Sequence, residues 1–226
     1  MPKVLFFDLE TVGDSRAADL IDKQKIKVPG NYKDISAIAK KRDEEYCKML
    51  GSLALYPRFA QIVCIVARPI NEYGEDEAEE ERVFVGDEKK ILEEFCEYVR
   101  EKDRYILCTF NGRKYDLRVL RARCCLHRIE WPYPAIYRQS KYSLSPHYDL
   151  YLALTSYGED LAPSGMNTLE SFYAYYIGDD LTNPCAGNKI AQLWERGNID
   201  EIVEHCKVDV RMLEKLYLRI SNWYNV

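Results

Sequence analysis

The first hydrophobic segment is a run, not an alternation: Val4-Leu-Phe-Phe is apolar throughout, and Asp8 and Glu10 break it before Thr11-Val-Gly13. Such a run predicts a strand buried on both faces whose far end turns polar. Residues 14–58 are a polar interlude in which Asp34 precedes a helical period carried by Ile35, Ile38, Ala39, Tyr46 and Leu50. Gln61–Ala67 and Arg82–Val85 read as a second and a third strand. The acidic stretch between them, Tyr73-Gly-Glu-Asp-Glu, predicts a hairpin tip in water. Asp87 opens a helix with Ile91, Leu92, Phe95 and Val99 on one face. Tyr105–Phe110 is a fourth strand, Tyr115–Leu126 a helix, and residues 131–146, with Pro132, Pro134 and Pro146, a loop. Helices follow near 168–177 and 189–196. The last, from about 199 to 221, presents Ile202, Cys206, Val210, Leu213, Tyr217 and Ile220 on one face. Three antiparallel strands, then alternating helices and strands, then a helical end predict one mixed α/β domain over residues 1–226, with the later strands parallel and helices flanking the sheet.

Composition narrows the class. The chain has 226 residues, 47% hydrophobic and 31% charged, which excludes wholesale disorder and a collagen-like fibre. No apolar run approaches the roughly 18 residues that cross a bilayer, and the first one is interrupted too early for a secretory segment. A cytoplasmic, reducing location without membrane attachment is the expectation. The cysteines at Cys47, Cys64, Cys96, Cys108, Cys124, Cys125, Cys185 and Cys206 form no C-x-x-C pair, as expected of free thiols. His127, His147 and His205 are the only histidines, too few and too scattered to predict structural zinc.

The formal charge of −5 is unevenly spread. Residues 71–103 hold fourteen acidic against five basic residues, whereas residues 104–145 hold nine basic against two acidic. The basic stretch is interleaved with Tyr105, Phe110, Tyr115, Trp131, Tyr133, Tyr137 and Tyr142. Cations that follow a phosphate backbone beside rings that stack on bases suit single-stranded nucleic acid. A solvated helix face beside an aromatic core would look the same in sequence.

Four carboxylates stand out by position. Asp8 and Glu10, two apart on a strand, share one face of the sheet. Burying both needs a partner, and hard oxygen donors suit Mg²⁺ or Mn²⁺; a frayed strand end in water is the alternative. Asp116 follows the fourth strand in Phe110-Asn-Gly-Arg-Lys-Tyr-Asp116, where Gly112 permits a tight turn and Asp116 can also oppose a helix dipole. His205 and Asp209, four apart on the last helix, project roughly 40° from one another; an ordinary surface pair has the same spacing.

Together these strings resemble the DEDD superfamily of 3′-5′ exonucleases, which has a ribonuclease H-like fold. Phe7-Asp-Leu-Glu-Thr11 matches its opening motif. Asn111-x-x-x-Tyr115-Asp116 matches the second motif in the proofreading domains of family-B DNA polymerases. His205-Cys-x-x-Asp209 matches the third, with histidine in the tyrosine place. Pro57–Cys64 and His147-Tyr-Asp-Leu150 are similar to stand-alone predicted exonucleases related to that proofreading domain. The resemblance covers nearly the whole chain in order. It implies a metal-dependent enzyme removing nucleotides from the 3′ ends of single-stranded DNA or RNA, DNA favoured, by a two-metal-ion mechanism. Asp8, Glu10 and Asp209 would hold a first ion, and Asp8 would bridge to a second, with Asp116 contributing directly or through water. Thr11 and Glu10 would lie at the terminal hydroxyl, and Asn111 and Tyr115 on the strand behind it. With no room for a polymerase palm, the domain is expected to stand alone, with a polymerase or a replication or repair protein as the partner it could serve in trans.

His205 departs from the pattern, having a tyrosine's spacing from Asp209 with an imidazole's chemistry. The histidine branch normally uses a spacing of five, about 140° around a straight helix. Imidazole, with a reference pKa near 6.5, can orient the attacking water or take its proton. Asp149 is expected to support the site or cap the following helix, and Lys189 and Arg196 to touch phosphate or lie in solvent. The lysines of residues 14–58 would overhang the entrance. A haloacid-dehalogenase-like phosphatase is a rival, through Phe7-Asp-Leu-Glu-Thr11 and Gly178-Asp-Asp180, but it requires Asp where Glu10 stands and leaves Asp116 and Asp209 without work. A catalytically silent nucleic-acid-binding module on the same fold is another; the presence of all four acids argues against it.

Overall fold

The computed structural model describes residues 3–70, 81–102, 104–143 and 145–221. In chain order the elements are β1 (Val4–Gly13), α1 (Ser15–Ala18), α2 (Ile35–Ser52), β2 (Ala60–Ile70), β3 (Arg82–Val85), α3 (Glu88–Glu101), β4 (Ile106–Thr109), α4 (Asp116–His127), β5 (His147–Asp149), α5 (Leu150–Leu154), α6 (Leu169–Tyr176), α7 (Ile190–Glu195) and α8 (Ile199–Ile220). The sheet order is β3-β2-β1-β4-β5. β1 and β3 run antiparallel to β2, β4 runs parallel to β1, and β5 parallel to β4.

Period-two alternation on β1 divides the core. Leu5, Phe7 and Leu9 join the cluster under α3 and α4 with Phe84, Phe95, Val119 and Leu120. Val4, Phe6 and Val12 join the opposite cluster with Cys206, Val210, Leu213 and Tyr217 of α8. Asp8 and Glu10 share the parity of Phe6, so they project on the α8 side. The pairing slips between Glu10 and Thr11: Glu10 faces Cys64 but Thr11 faces Ile62, leaving Val63 as an extra residue on β2. A bulge there bends the ladder beside the two acids. All six apolar residues expected to face inward on α8 are buried, Ile202, Cys206, Val210 and Tyr217 completely, and Phe6 meets Tyr217 edge-on at 5.2 Å between centroids.

Several sequence expectations change. β1 and β2 run longer than the apolar residues alone suggest, because main-chain pairing continues past them. β5 is a fifth strand that the pattern does not announce, three residues being too few to show a period. The 131–146 loop contains a 3₁₀ turn at Pro134–Arg138. The acidic tip at 73–77 lies outside the described residues. Gly112 is needed for space more than for φ: the left-handed residue of that turn is Asn111, at φ 60°, a conformation asparagine tolerates. A Cβ on Gly112 would sit 2.0 Å from Thr109 Oγ1 and 3.0 Å from Asp116 Oδ2.

The basic, aromatic stretch is largely spent on the interior. Tyr105 and Trp131 are buried, and Tyr115, Tyr133 and Tyr137 pack against the same cluster; Tyr142 alone of the seven rings is mostly exposed. Arg123 is also interior. Its guanidinium meets Glu88, with Nε at 2.7 Å, and Asp14 Oδ2 at 2.7 Å. Glu88 further accepts from the Ile62 amide at 2.7 Å and contacts His127 Nε2 at 2.8 Å. This cluster joins the end of β1 to β2, α3 and α4. All eight cysteines are free, and five are buried.

Candidate active site

β1 delivers Asp8 and Glu10 from its middle, just past the residues that pair with β4, α4 delivers Asp116 as its first residue, and α8 delivers His205 and Asp209 from one face. Because β4 lies parallel to β1 in the register Phe6–Cys108, the turn from Phe110 to Asp116 opens at the carboxyl end of β4, beside the part of β1 that carries Asp8 and Glu10, the kind of place where α/β sheets commonly bind ligands. His205 Nε2 is 3.3 Å from Glu10 Oε1 and 3.5 Å from Asp209 Oδ2. Donor atoms of Glu10, His205 and Asp209 lie within 4.8 Å of one another, as do those of Asp8, Glu10 and Cys206. Asp116 belongs to neither set, but its charge bears on both Asp8 and Glu10.

Electrostatics unites the four acids. Burial, then the charges of Asp209, Asp116 and Glu10, push Asp8 well above the usual carboxylate range. Burial and Asp209 lead the same effect on Glu10. Asp116 is pushed up to about 7, by burial first and then by Asp149 and Asp209. Asp209 is pushed up to about 6 by burial, against the lowering donation from Asn183 and the proximity of His205. Among the described residues no Lys or Arg nitrogen pairs with any of the four; His205 is the single basic side chain in contact. Carboxylates gathered without counter-ions repel one another and resist ionisation. A donor set of hard oxygens fits a divalent cation such as Mg²⁺ or Mn²⁺.

Thr11 and Tyr115 flank this cluster. The Tyr115 hydroxyl donates to the Ala54 carbonyl and lies 2.6 Å from Thr11 Oγ1, so Thr11 donates to it. The end of the 14–58 segment therefore abuts the site through Ala54. Burial and the neighbouring acids push Tyr115 up to about 12, keeping it a neutral phenol. The side chain of Asn111 makes no hydrogen bond among the described residues, while its amide and that of Arg113 donate to Asp149 at 2.8 and 3.0 Å. Asp149 also accepts from Leu152 N at 3.4 Å. It thus holds the Asn111–Asp116 turn and caps α5 at once, the two roles the sequence left open. Lys189 and Arg196 are exposed.

Sequence reasoning misses four neighbours. Asn183 Nδ2 donates to Asp209 Oδ1 at 2.8 Å, and Cys185 Sγ lies 3.7 Å from His205 Nδ1. Glu170, at the start of α6, adds its charge to Glu10 and Asp209, and Cys206 donates to the Asp8 carbonyl at 3.4 Å. Asn183 and Cys185 lie in an aperiodic connection, and nothing in their spacing marks them. Gly178-Asp-Asp180, the rival phosphatase motif, has no part in this cluster: Asp179 is taken by Tyr173 at 2.6 Å and Lys215 at 2.7 Å.

Residues 54–224 match a family model described as a predicted 3′-5′ exonuclease related to the exonuclease domain of PolB. Among solved structures, the family B DNA polymerase from the hyperthermophilic archaeon Pyrobaculum calidifontis is similar with a TM-score of 0.63 at 15% identity, over 97% of this chain and 24% of that one. The chain thus spans about a quarter of that polymerase, and the likeness shows the fold: a ribonuclease H-like mixed sheet flanked by helices. No curated protein matches the chain. No helix among the described residues is long and apolar enough to cross a membrane.

Proposed function

The chain belongs to the family of predicted 3′-5′ exonucleases related to the exonuclease domain of PolB, and from that premise we propose that it hydrolyses the terminal phosphodiester at the 3′ end of single-stranded nucleic acid, DNA in preference to RNA, with two divalent metal ions. The observation that carries this reading is the meeting of Asp8, Glu10, Asp116 and Asp209, from three distant segments, with no Lys or Arg among the described residues to neutralise them. The preference for DNA follows from the relation to a DNA polymerase's exonuclease domain.

Asp8, Glu10 and Asp209 would hold one Mg²⁺ or Mn²⁺, and Asp8 with Asp116 a second. Such ions supply Lewis-acid stabilisation of the reacting phosphate and an acidified water. The chain's own residues do the rest. His205, fixed between Glu10 and Asp209 with Cys185 behind its other nitrogen, orients the attacking water or accepts its proton at Nε2. The Thr11–Tyr115 hydrogen bond sets two side chains beside Glu10 where the terminal hydroxyl would sit, and the unengaged Asn111 amide faces the preceding nucleotide.

End-labelled single-stranded DNA and RNA, incubated with Mg²⁺ or Mn²⁺ and with EDTA, test this. The expected outcome is a ladder shortening from the 3′ end, stopped by EDTA and reduced on the order of 10³-fold in Asp8→Ala, as loss of several kcal/mol of transition-state stabilisation requires. Tight binding with no cleavage would instead make the chain a binding module.

A further inference from the structure

A cavity of about 750 Å³ lies on the outer side of α4, lined by Arg58, Arg113, Lys114, Arg118 and Arg121 and by no carboxylate. In a chain whose net charge is −5, five cations around one hollow are a local reversal of sign. They also form no ion pair of their own among the described residues, Arg113 acting on the buried Asp149 only through its field. Elsewhere on the surface Lys41, Lys48, Lys89, Lys90, Arg100 and Lys215 each meet an acid. None of the five lining the cavity does so among the described residues.

Neutral groups hold the four arginines in place without discharging them. Arg113 donates to the carbonyls of Ser140, at 3.0 Å, and Gln139. Arg118 Nε donates to the Arg113 carbonyl at 3.2 Å. The Arg121 guanidinium lies 5.1 Å from the Tyr137 ring centroid, and that of Arg58 lies 4.8 Å from the Phe59 centroid. Side chains oriented this way keep their charge for an outside partner and lose less entropy on binding it.

The hollow adjoins the site. Lys114 precedes the Tyr115–Asp116 pair, and Arg58 lies four residues beyond Ala54, the acceptor of the Tyr115 hydroxyl. From there the lining descends α4 through Arg118 and Arg121, the last of the cations, to Cys125, about 14 Å along the helix from Asp116 at a rise of 1.5 Å per residue. A single phosphate cannot engage charges so spread out, but a chain of phosphates can. We infer that this cavity binds the sugar-phosphate backbone of the single strand several nucleotides upstream of its 3′ end. The inference rests on the exonuclease reading for the strand's direction and extends it to a binding track that acts on affinity, not on chemistry.

The test uses the whole chain and a fluorescent oligothymidylate of about twelve nucleotides. Anisotropy in EDTA, across a salt series, compares the parent with the triple variant Arg58→Gln, Arg118→Gln, Arg121→Gln. Removing three phosphate contacts should lower the slope of log affinity against log salt by about 2, and Lys114→Gln alone by about 0.7. The control Lys89→Gln, Lys90→Gln on α3 should leave it unchanged. In the presence of Mg²⁺ or Mn²⁺ the triple variant should raise KM for the long strand at least tenfold at constant kcat, and leave KM for a dinucleotide unchanged. An unchanged salt slope in both cavity variants, an equal rise in KM for both substrates, or a cavity effect on polyglutamate but not on the oligonucleotide would overturn the inference. Absence of cleavage by the parent would defeat the exonuclease reading, and the slope measured in EDTA would still decide the cavity.

Discussion

Two groups of buried charge lie on β1 and just beyond it, and they are handled in opposite ways. At Asp14 the protein compensates itself: against the upward push of burial, Arg16 and Arg123 hold the carboxyl down at about 2, and Arg123 with His127 answers Glu88. Four and six residues earlier, at Glu10 and Asp8, burial and mutual repulsion push every carboxyl up, Asp116 to about 7 and Asp209 to about 6. The first group is complete as folded. The second has no Lys or Arg partner among the described residues, and that asymmetry separates a structural ion cluster from a candidate catalytic one.

Breaking the compensated group should have the largest effect. Arg123→Met leaves Asp14 and Glu88 buried without their shared partner, and should cost roughly 3–5 kcal/mol, read as a lower midpoint in urea unfolding. Restoration of parental stability by the single change would show that the cluster is not self-compensating. At the other group, His205→Ala should lower kcat about 10²-fold. His205→Tyr should retain part of the rate and change its pH profile between pH 6 and 9; if both variants match the parent across that range, His205 neither orients nor deprotonates the water.

The two groups should also respond oppositely to pH. Asp116 has a folded pKa of about 7 against an ordinary value of 3.8, so from about pH 4 to pH 7 the unfolded chain has lost a proton that the folded one keeps. Without metal, this group makes stability fall as pH rises through that window. Asp14, at about 2 in the fold, contributes stability that is present above pH 4 and lost as pH falls through 2. Asp116→Asn should therefore raise the metal-free melting temperature at pH 8, by roughly 3–6 °C for a gain of about 1–2 kcal/mol at this chain length. Saturating Mg²⁺ or Mn²⁺ should stabilise the parent, by about 2.7 kcal/mol per bound ion at 100 times Kd, and have a smaller effect on the variant. A variant less stable than the metal-free parent at pH 8 would contradict the charge-repulsion account. The smallest effect is expected from Asn183→Ala, which removes one 2.8 Å donor from Asp209 and should reduce cleavage about tenfold, the low end of what losing one supporting hydrogen bond to a metal ligand costs. A larger loss in kcat would place Asn183 on the substrate.

Sequence alone determined what repeats within an element. The two-residue period places Asp8 and Glu10 on one face of β1, and the 3.6-residue period places His205 beside Asp209 and buries Cys206, Val210 and Tyr217 on α8. The order of the acidic motifs also carried the family resemblance. Tertiary structure decided what depends on two elements meeting: that Asp116 bears on Asp8, that Asn183 and Cys185 close over Asp209 and His205, and that Gly112 is required by the approach of Thr109 and Asp116. It also sorted one basic, aromatic stretch into a buried Arg123, a set of core rings and four of the five cations of a surface hollow. A period reports where a side chain points around its own axis, whereas an encounter between segments a hundred residues apart is set by packing, and packing leaves no local repeat to read.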